Sequence, residues 1–533
     1  MDQPITKTMS DSGSVHEKPV FVDPTLANDA DEGLSEEEKT KIDGQLLWKL
    51  DLVLIPWLSL LYLCSFLDRT NIGNAKLDGL QEDLHMSDGQ YNAALTIFFV
   101  SYSVFEPITN ILLRRTRPSI FIPTIMVLWV SRALFQCIAI GSRLTIPPPE
   151  QGICMMAMGF VRNFSGLMAT RWFLGLAEAG LFPGVGYYLS CWYKRSELGV
   201  RMAIFFSAAA LAGSFGGLLA AAITNMDGMG GRPGWAWIFI LEGLGTVVIG
   251  VVSFWMVFDF PAEAKFLSET DRRRVLRRLA LDQQSSAEHE EWKMSHFWAS
   301  VRDWKTLVGA IIYMGTDGSL YAFSLFIPTI IKELGRLMIF AFFFVCYTAT
   351  KAQLLSVPPY ACAAVLTVLV GYIADRTQQR GLCNIFISLF GVVGFSMLLG
   401  AKTAGVRYAG VFLGAMGIYP CIANTVSWTS NNVEGAYKRG ITLGIVIGWG
   451  NLNGIVASNI YRGTDAPHFY PGHATVLAYL TVFLLGGSIL QYILLRIENR
   501  KRLLGQRDHW IEGLDAQEIN LLGDRRPDFL YTL

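Results

Sequence analysis

Apolar runs of about twenty residues, repeated along the whole chain, limit what this polypeptide can become. A bilayer core about 30 Å thick is crossed by roughly 20 residues of helix. Runs of that kind lie at 50–67, 91–113, from 120 onward, 164–189, 203–223, 235–258, 304–331, 352–374, 382–400, 407–428, 440–460 and 474–496. The expected fold is an all-α membrane protein of about 12 transmembrane helices. The longest polar interruption, 259–303, carries Arg272, Arg273, Arg274, Arg277 and Arg278 and parts the spans into two six-helix bundles.

Charge supports this reading. Only 17% of the residues are charged and 52% are hydrophobic, whereas soluble domains carry about a quarter charged residues. The formal net charge is zero and the basic residues sit in short loops, so there is no basic footprint for nucleic acid. The cysteines are scattered without C-x-x-C spacing, and several lie in apolar runs, which predicts buried thiols rather than a disulfide framework or a metal site.

Lys and Arg are retained on the cytoplasmic side of membrane proteins. Here they collect in alternate connections: Arg114, Arg115 and Arg117; Lys194, Arg195 and Arg201; the central loop; Arg376 and Arg380; Lys438 and Arg439; Arg500, Lys501 and Arg502. Both termini are therefore expected in the cytoplasm. Residues 1–47 are polar and acidic and read as a disordered cytoplasmic tail. Residues 48–258 form the N-terminal bundle, 259–303 a cytoplasmic loop, 304–496 the C-terminal bundle and 497–533 a cytoplasmic tail.

Ionisable residues inside a membrane span are costly and mark function by default. Asp68 and Arg69 end the first span and are followed by Asn71. A carboxylate beside a guanidinium can make anion binding depend on a proton; the alternative is an ion pair at the helix end. Arg171 and Glu178 are seven residues apart in the fourth span, about two turns, and so share a face. Burial disfavours the charged form of a carboxylate, a property suited to a proton carrier, or Glu178 serves only a helix contact. In the second half, Asn424, Trp428, Asn431, Trp449 and Asn453 offer amides and indoles, suited to a small planar acid and equally to helix–helix contacts. Asp375, Arg376 and Arg380, in a short loop, suit an ion pair that latches one conformation. No hydrolase, nucleotide, dinucleotide or metal pattern is present, which predicts no cofactor and an ion gradient as the energy source.

Gly371 to Gly381 (GYIADRTQQRG) resembles the loop signature of the major facilitator superfamily. From Trp48 onward the chain is similar to the anion:cation symporter branch and its fungal allantoate and nicotinate permeases. The likeness rests on FLDRTNIGNA (66–75), RWFLGLAEAGLFPG (171–184), YYLSCWYKRSELGVR (187–201), GRPGWAWIFILEG (231–243), WTSNNVEGAYKRG (428–440) and GDRRPDFLYTL (523–533). The resemblance implies the major facilitator fold, with a midplane site opened alternately to each side. It also implies Asp68 and Glu178 as proton-coupling residues and Arg69 and Arg171 as anion or coupling partners; Asn71 and Tyr187 lie in the same matching segments. The expected activity is proton-coupled uptake of a small organic anion, nicotinate or a related carboxylate, across the plasma membrane by a protein functional as a monomer, and not an enzyme. Export of an acidic metabolite and substrate sensing without transport are the alternatives.

Two segments depart from the family pattern. Arg336 to Cys346 is apolar but too short to span. Val130 to Gln151 separates two half-spans, 120–129 and 152–161, that would join into one helix. It opens on Val-Ser, which GTAAGT would encode, and closes on Gln, which CAG would encode. We therefore hypothesise a retained intron of ~66 nucleotides, three for each of its residues. A genuine extracellular insertion is the alternative. Sequencing the spliced transcript is expected to show these codons absent; a mature message that keeps them in frame refutes the hypothesis.

Overall fold

The computed structural model describes residues 35–126, 154–281, 294–338, 349–515, 519 and 522–533. Its principal helices are α1 Glu36–Thr70, α2 Asp88–Arg115, α3 Phe164–Glu178, α4 Leu181–Ser190, α5 Arg195–Ile223, α6 Gly234–Met256, α7 Trp304–Met338, α8 Ala349–Thr377, α9 Arg380–Gly400, α10 Ala404–Asn431, α11 Ala436–Ala457 and α12 Tyr470–Leu503. The described residues contain no strand. Among them, 9 helices are long and apolar enough to cross a membrane: α1 and α5 to α12.

The second expected span is α2, a single long helix with Asn92, Ser101 and Glu106 buried along it. The fourth expected span is two helices, α3 and α4, with a break at Ala179–Gly180. Pro183 lacks the N–H that would reach the Ala179 carbonyl, so the ladder is interrupted there. Of the third span, residues 118–126 are helical, and Cys154–Met158 forms a short helix beyond. Val130 to Gln151 lies outside the described residues. Arg336 to Met338 extends α7, and the remainder of the second departure, 339–346, also lies outside them.

α1 begins at Glu36, inside the segment that composition assigns to a disordered tail. Ser35 and Glu38 form a reciprocal cap: the Ser35 N–H donates to Glu38 Oε2 at 2.9 Å and the Glu38 N–H donates to Ser35 Oγ at 3.3 Å. Glu36, Glu37 and Glu38 suit the positive end of the helix dipole. The central segment supplies partners for this extension through a helix of its own, Glu269–Leu281. Asp271 pairs with Lys49 at 2.8 Å, and Arg278 pairs with Asp43 at 3.2 Å and with Glu197 of α5 at 2.5 Å. The stretch 259–303 is thus partly a clamp across α1 and α5.

α1 to α6 pack as one half and α7 to α12 as the other, and the halves meet where α2 faces α11 and α5 faces α8. Leu244, Val248 and Trp255 of α6 and Val365, Leu369, Phe386 and Val393 of α8 and α9 point outward. Such a surface would be an aggregation liability in water and suits a hydrocarbon surround.

The last residues cap the tail-bearing end of the second half. Asp524 bonds Lys305 of α7 and lies 2.6 Å from Lys438 of α11. Arg502 of α12 donates to the Asp524 carbonyl at 3.1 Å, to the Phe529 carbonyl at 2.5 Å and to the Tyr531 hydroxyl at 2.6 Å. Trp428 and Asn432, at the end of α10, donate to the Thr532 carbonyl at 2.9 and 3.0 Å. Burial alone pushes the Asp524 carboxyl up, but Lys305 and Lys438 outweigh it and hold the group below the usual carboxylate range. A depressed folded value means that its stabilisation is full at neutral pH and fades as pH falls through that value. Asp524→Asn is expected to cost about 1–3 kcal/mol, because it removes one acceptor from two buried ammonium groups that keep Asp303, 3.4 Å from Lys305 and 3.1 Å from Lys438, as their remaining carboxylate. Thermal unfolding of the detergent-solubilised protein checks this: the melting temperature falls at neutral pH and the gap to wild type narrows in acid, whereas coincident melting curves at neutral pH refute it.

Candidate functional site

The polar centre of the molecule is built on the last turn of α1. Arg69 is 2% exposed and Glu178 is 0% exposed. Arg69 Nε and Nη2 both donate to Glu178 Oε2, at 3.0 and 2.9 Å. Its remaining arm, Nη1, crosses to the other half and donates to the Tyr321 hydroxyl of α7 at 2.6 Å. The guanidinium also lies over the rings of Tyr102 and Phe98, 4.9 and 5.3 Å from their centroids. Aromatic faces of this kind stabilise a desolvated cation.

From Tyr321 the network continues. Its hydroxyl donates to Asn451 Oδ1 of α11 at 2.8 Å, and Asn451 Nδ2 donates to Glu106 Oε2 of α2 at 2.9 Å. Glu106 Oε1 and Glu178 Oε1 have no hydrogen bond. Gly175 allows the approach of α3 to α2 that this arrangement needs, because a Cβ there would overlap Ser101 Oγ and the Phe98 carbonyl.

Asp68 does not pair with Arg69. Consecutive helix residues point roughly 100° apart, and Asp68 turns instead to α6, where Thr246 Oγ1 donates to it at 3.1 Å. Asn71 likewise bonds Glu242 of α6 and accepts from Asn74 at 2.8 Å. Arg171 is fully buried and donates to the Ala94 and Arg69 carbonyls at 3.3 and 3.4 Å, with Nη2 left without a bond.

The other candidates named from sequence lie elsewhere. Tyr187 packs against Phe260, beyond the end of α6, with ring centroids 6.2 Å apart. Asn424 donates to the Arg380 carbonyl at 2.7 Å and to Asn384 at 2.8 Å. Trp428 is committed to the tail cap, and Asn431 is buried in the last turn of the same helix. Trp449 is 51% exposed and points out of the bundle, while Asn453 accepts from Tyr479 of α12 at 3.0 Å. Asp375 pairs with Arg380 and accepts from the Val200 N–H of α5 at 2.6 Å, which joins the halves at the tail-bearing end; Arg376 turns outward to Tyr372. The halves also meet at the opposite end, where Asn459 donates to Thr96 at 2.9 Å.

Three buried carboxylates at this depth were not among the sequence candidates: Glu106, Glu242 and Asp317 of α7. The signal was present, since each is a lone acid within an apolar run and the cost argument used for Asp68 and Glu178 applies equally.

A helical chain in two halves, with a closed polar centre between them, has the architecture of a secondary transporter. The family model of the Major Facilitator Superfamily matches residues 58–458, and the chain belongs to that family. It is similar to an uncharacterized transporter of Schizosaccharomyces pombe, 35% identical over 435 residues, covering 81% of this chain and 80% of the relative. It is also similar to the high-affinity nicotinic acid transporter of Saccharomyces cerevisiae, 30% identical over 502 residues, covering 92% of this chain and 85% of that one. Among solved structures, an inward-facing, occupied bacterial homolog of the human lysosomal transporter Spinster matches with a TM-score of 0.53 at 14% identity, covering 83% of this chain and 96% of that one, a likeness of fold. The family and these relatives are transporters, so the chain is a multi-pass membrane transporter and not an enzyme.

Lysine cannot reproduce the contacts of Arg69, because an ammonium lacks the fork that serves Glu178 and Tyr321 together. Arg69→Lys is expected to reduce transport at least tenfold with the protein still present in the membrane; unchanged uptake per molecule at the surface contradicts this assignment.

Proposed function

We propose that the protein takes up a small organic anion, such as nicotinate or a related carboxylate, together with protons, across the plasma membrane with both termini in the cytoplasm. The observation that carries this reading is the buried Arg69–Glu178 pair. Its guanidinium is the group an incoming carboxylate needs, and its carboxylate is the competitor that must be neutralised first. Similarity to a nicotinic acid transporter supports this substrate class.

The cycle follows from charge balance. A proton on Glu178 cancels its charge and weakens its two bonds from Arg69, whose Nε and Nη2 then turn to the substrate carboxylate. Arg171, with Nη2 free, offers a second donor in the same interior. Loss of the proton on the other side restores the internal pair and expels the anion. Proton and anion thus occupy the centre together or not at all, which is the condition for symport. Asp68 is a further proton site, held by Thr246. The Asp375–Arg380 pair and its bond to Val200 form a latch that closes the cytoplasmic side and breaks when that side opens.

Uptake of labelled nicotinate in yeast lacking its own carrier tests this, with acidic medium expected to stimulate uptake over neutral medium. Glu178→Gln is expected to abolish accumulation above the external level while sparing exchange of labelled for unlabelled substrate. Equal accumulation by mutant and wild type removes Glu178 from the mechanism.

A further inference from the structure

One buried acid is left out of the bonding of the polar centre. Glu178 has Arg69, Asp68 has the Thr246 hydroxyl, Glu242 has the Asn71 amide and Glu106 has the Asn451 amide. Asp317 of α7 is 2% exposed, and its Oδ2 has no hydrogen-bond partner. Buried polar atoms are almost always bonded, so one left over in a closed interior calls for an explanation. A carboxylate buried in its charged form without a cation in contact is strongly destabilising. In the closed site Asp317 therefore keeps a proton and is a hydrogen-bond donor with no acceptor assigned to it.

Its position ties it to the site around Arg69. Tyr313, Asp317 and Tyr321 are spaced four residues apart, so they form one stripe along α7, and all three are buried. Tyr321, at one end of the stripe, accepts from Arg69. Asp317 precedes it by one turn, ~6 Å of helix rise, and lies in electrostatic range of Arg69. Facing the stripe is α11, where position 450 is a glycine: a Cβ there would overlap the Tyr313 ring and sit 3.2 Å from Asp317 Oδ2. The interior thus has two poles, a guanidinium carried by the first half and an acid carried by the second. The rings of Tyr62 and Tyr321 lie in range of both, and such rings offer flat faces to a planar ligand.

We propose that Asp317 is a specificity-determining residue of the substrate site, donating to a hydrogen-bond acceptor on the substrate away from its carboxylate, such as the ring nitrogen of nicotinate. This inference rests on the reading of the protein as an organic-anion carrier and narrows the substrate to planar carboxylic acids with an acceptor elsewhere on the ring. With the halves apart, the substrate carboxylate meets Arg69 in the first half. As they close, Asp317 of the second half meets the acceptor, so the ligand itself ties the halves together. An acid without the acceptor reaches Arg69 but leaves Asp317 unpaired on closure. A site built to bond one substrate group discriminates strongly against the analogue that lacks it. The Asp317 proton is not among those transported. It is present in both the loaded and the unloaded closed site, so it crosses equally in both directions, and the coupled proton remains that of the Arg69–Glu178 pair.

Binding and transport are measured separately. Thermal unfolding of the detergent-solubilised protein, titrated with nicotinate and with benzoate, gives the two affinities; benzoate has the same carboxylate on a ring without nitrogen. Wild type is expected to bind nicotinate at least about tenfold more tightly. Asp317→Ala is expected to bring the two acids within about threefold of each other by weakening nicotinate, whereas Asp317→Asn, which keeps a donor, retains the preference. An Asp317→Ala protein that prefers nicotinate as strongly as wild type overturns the proposal. So does a wild type that fails to separate the two acids, or an Asp317→Asn protein that loses the preference. Should Asp317→Ala fail to fold, Asp317→Val, closer in volume, takes its place. Uptake in the yeast described above tests the underlying reading. Acid-stimulated uptake with an unaltered preference in Asp317→Ala overturns only the assignment of Asp317. A preference lost in Asp317→Ala, with wild-type uptake indifferent to acid, overturns the symport reading and leaves that assignment standing.

Discussion

The contact between Arg69 and Glu178 organises the interior. Removing either partner from such a buried pair costs about 3–5 kcal/mol, because the other charge is stranded. The rest of the centre is arranged around that constraint. Aromatic rings of Phe98 and Tyr102 face the guanidinium, Tyr321 takes its last donor from across the interface, and Gly175 brings α3 against α2. The contact is also a poised one. In the proposed cycle a proton neutralises its carboxylate and a substrate anion takes its place.

Away from the centre, polar residues serve the joints between elements. The tail cap gathers α7, α10, α11 and α12 around Asp524 and Arg502, while the central helix ties α1 to α5 through Asp43, Glu197 and Arg278. Between these assemblies lies the bond from Val200 to Asp375, which joins the two halves directly. Each half is therefore stapled within itself by many polar contacts, whereas the halves meet through the packing of α5 on α8 and α2 on α11, with fewer hydrogen bonds between them. That distribution suits rigid halves that move against one another.

How much of this could be read in advance depended on the kind of signal. Length and hydropathy set out the spans, and the division of the fourth has a local cause, Pro183. The cost of a charge in hydrocarbon marked Arg69, Arg171 and Glu178, which all lie in the closed interior. The same argument extends to Glu106, Glu242 and Asp317. Side-chain type alone was a weaker guide. Asn424, Trp428, Asn431, Trp449 and Asn453 have the chemistry of a binding surface, yet they are engaged in helix contacts, buried in a helix end, committed to the tail or facing outward. An amide is equally satisfied by a ligand or by a neighbouring carbonyl, and only position distinguishes the two.

By itself, the sequence determined the membrane as the solvent, the division into two halves and the presence of ionisable groups inside the spans, because each follows from a local run of residues or a single costly substitution within it. Tertiary structure decided who pairs with whom. Asp68 and Arg69 are neighbours along the chain, but helix geometry turns one toward Thr246 and the other toward Glu178 and Tyr321. Glu106 and Asn451 are far apart in sequence and meet only because two helices from opposite halves lie side by side. Such partnerships depend on how whole helices rotate and pack, which no local pattern of residues contains.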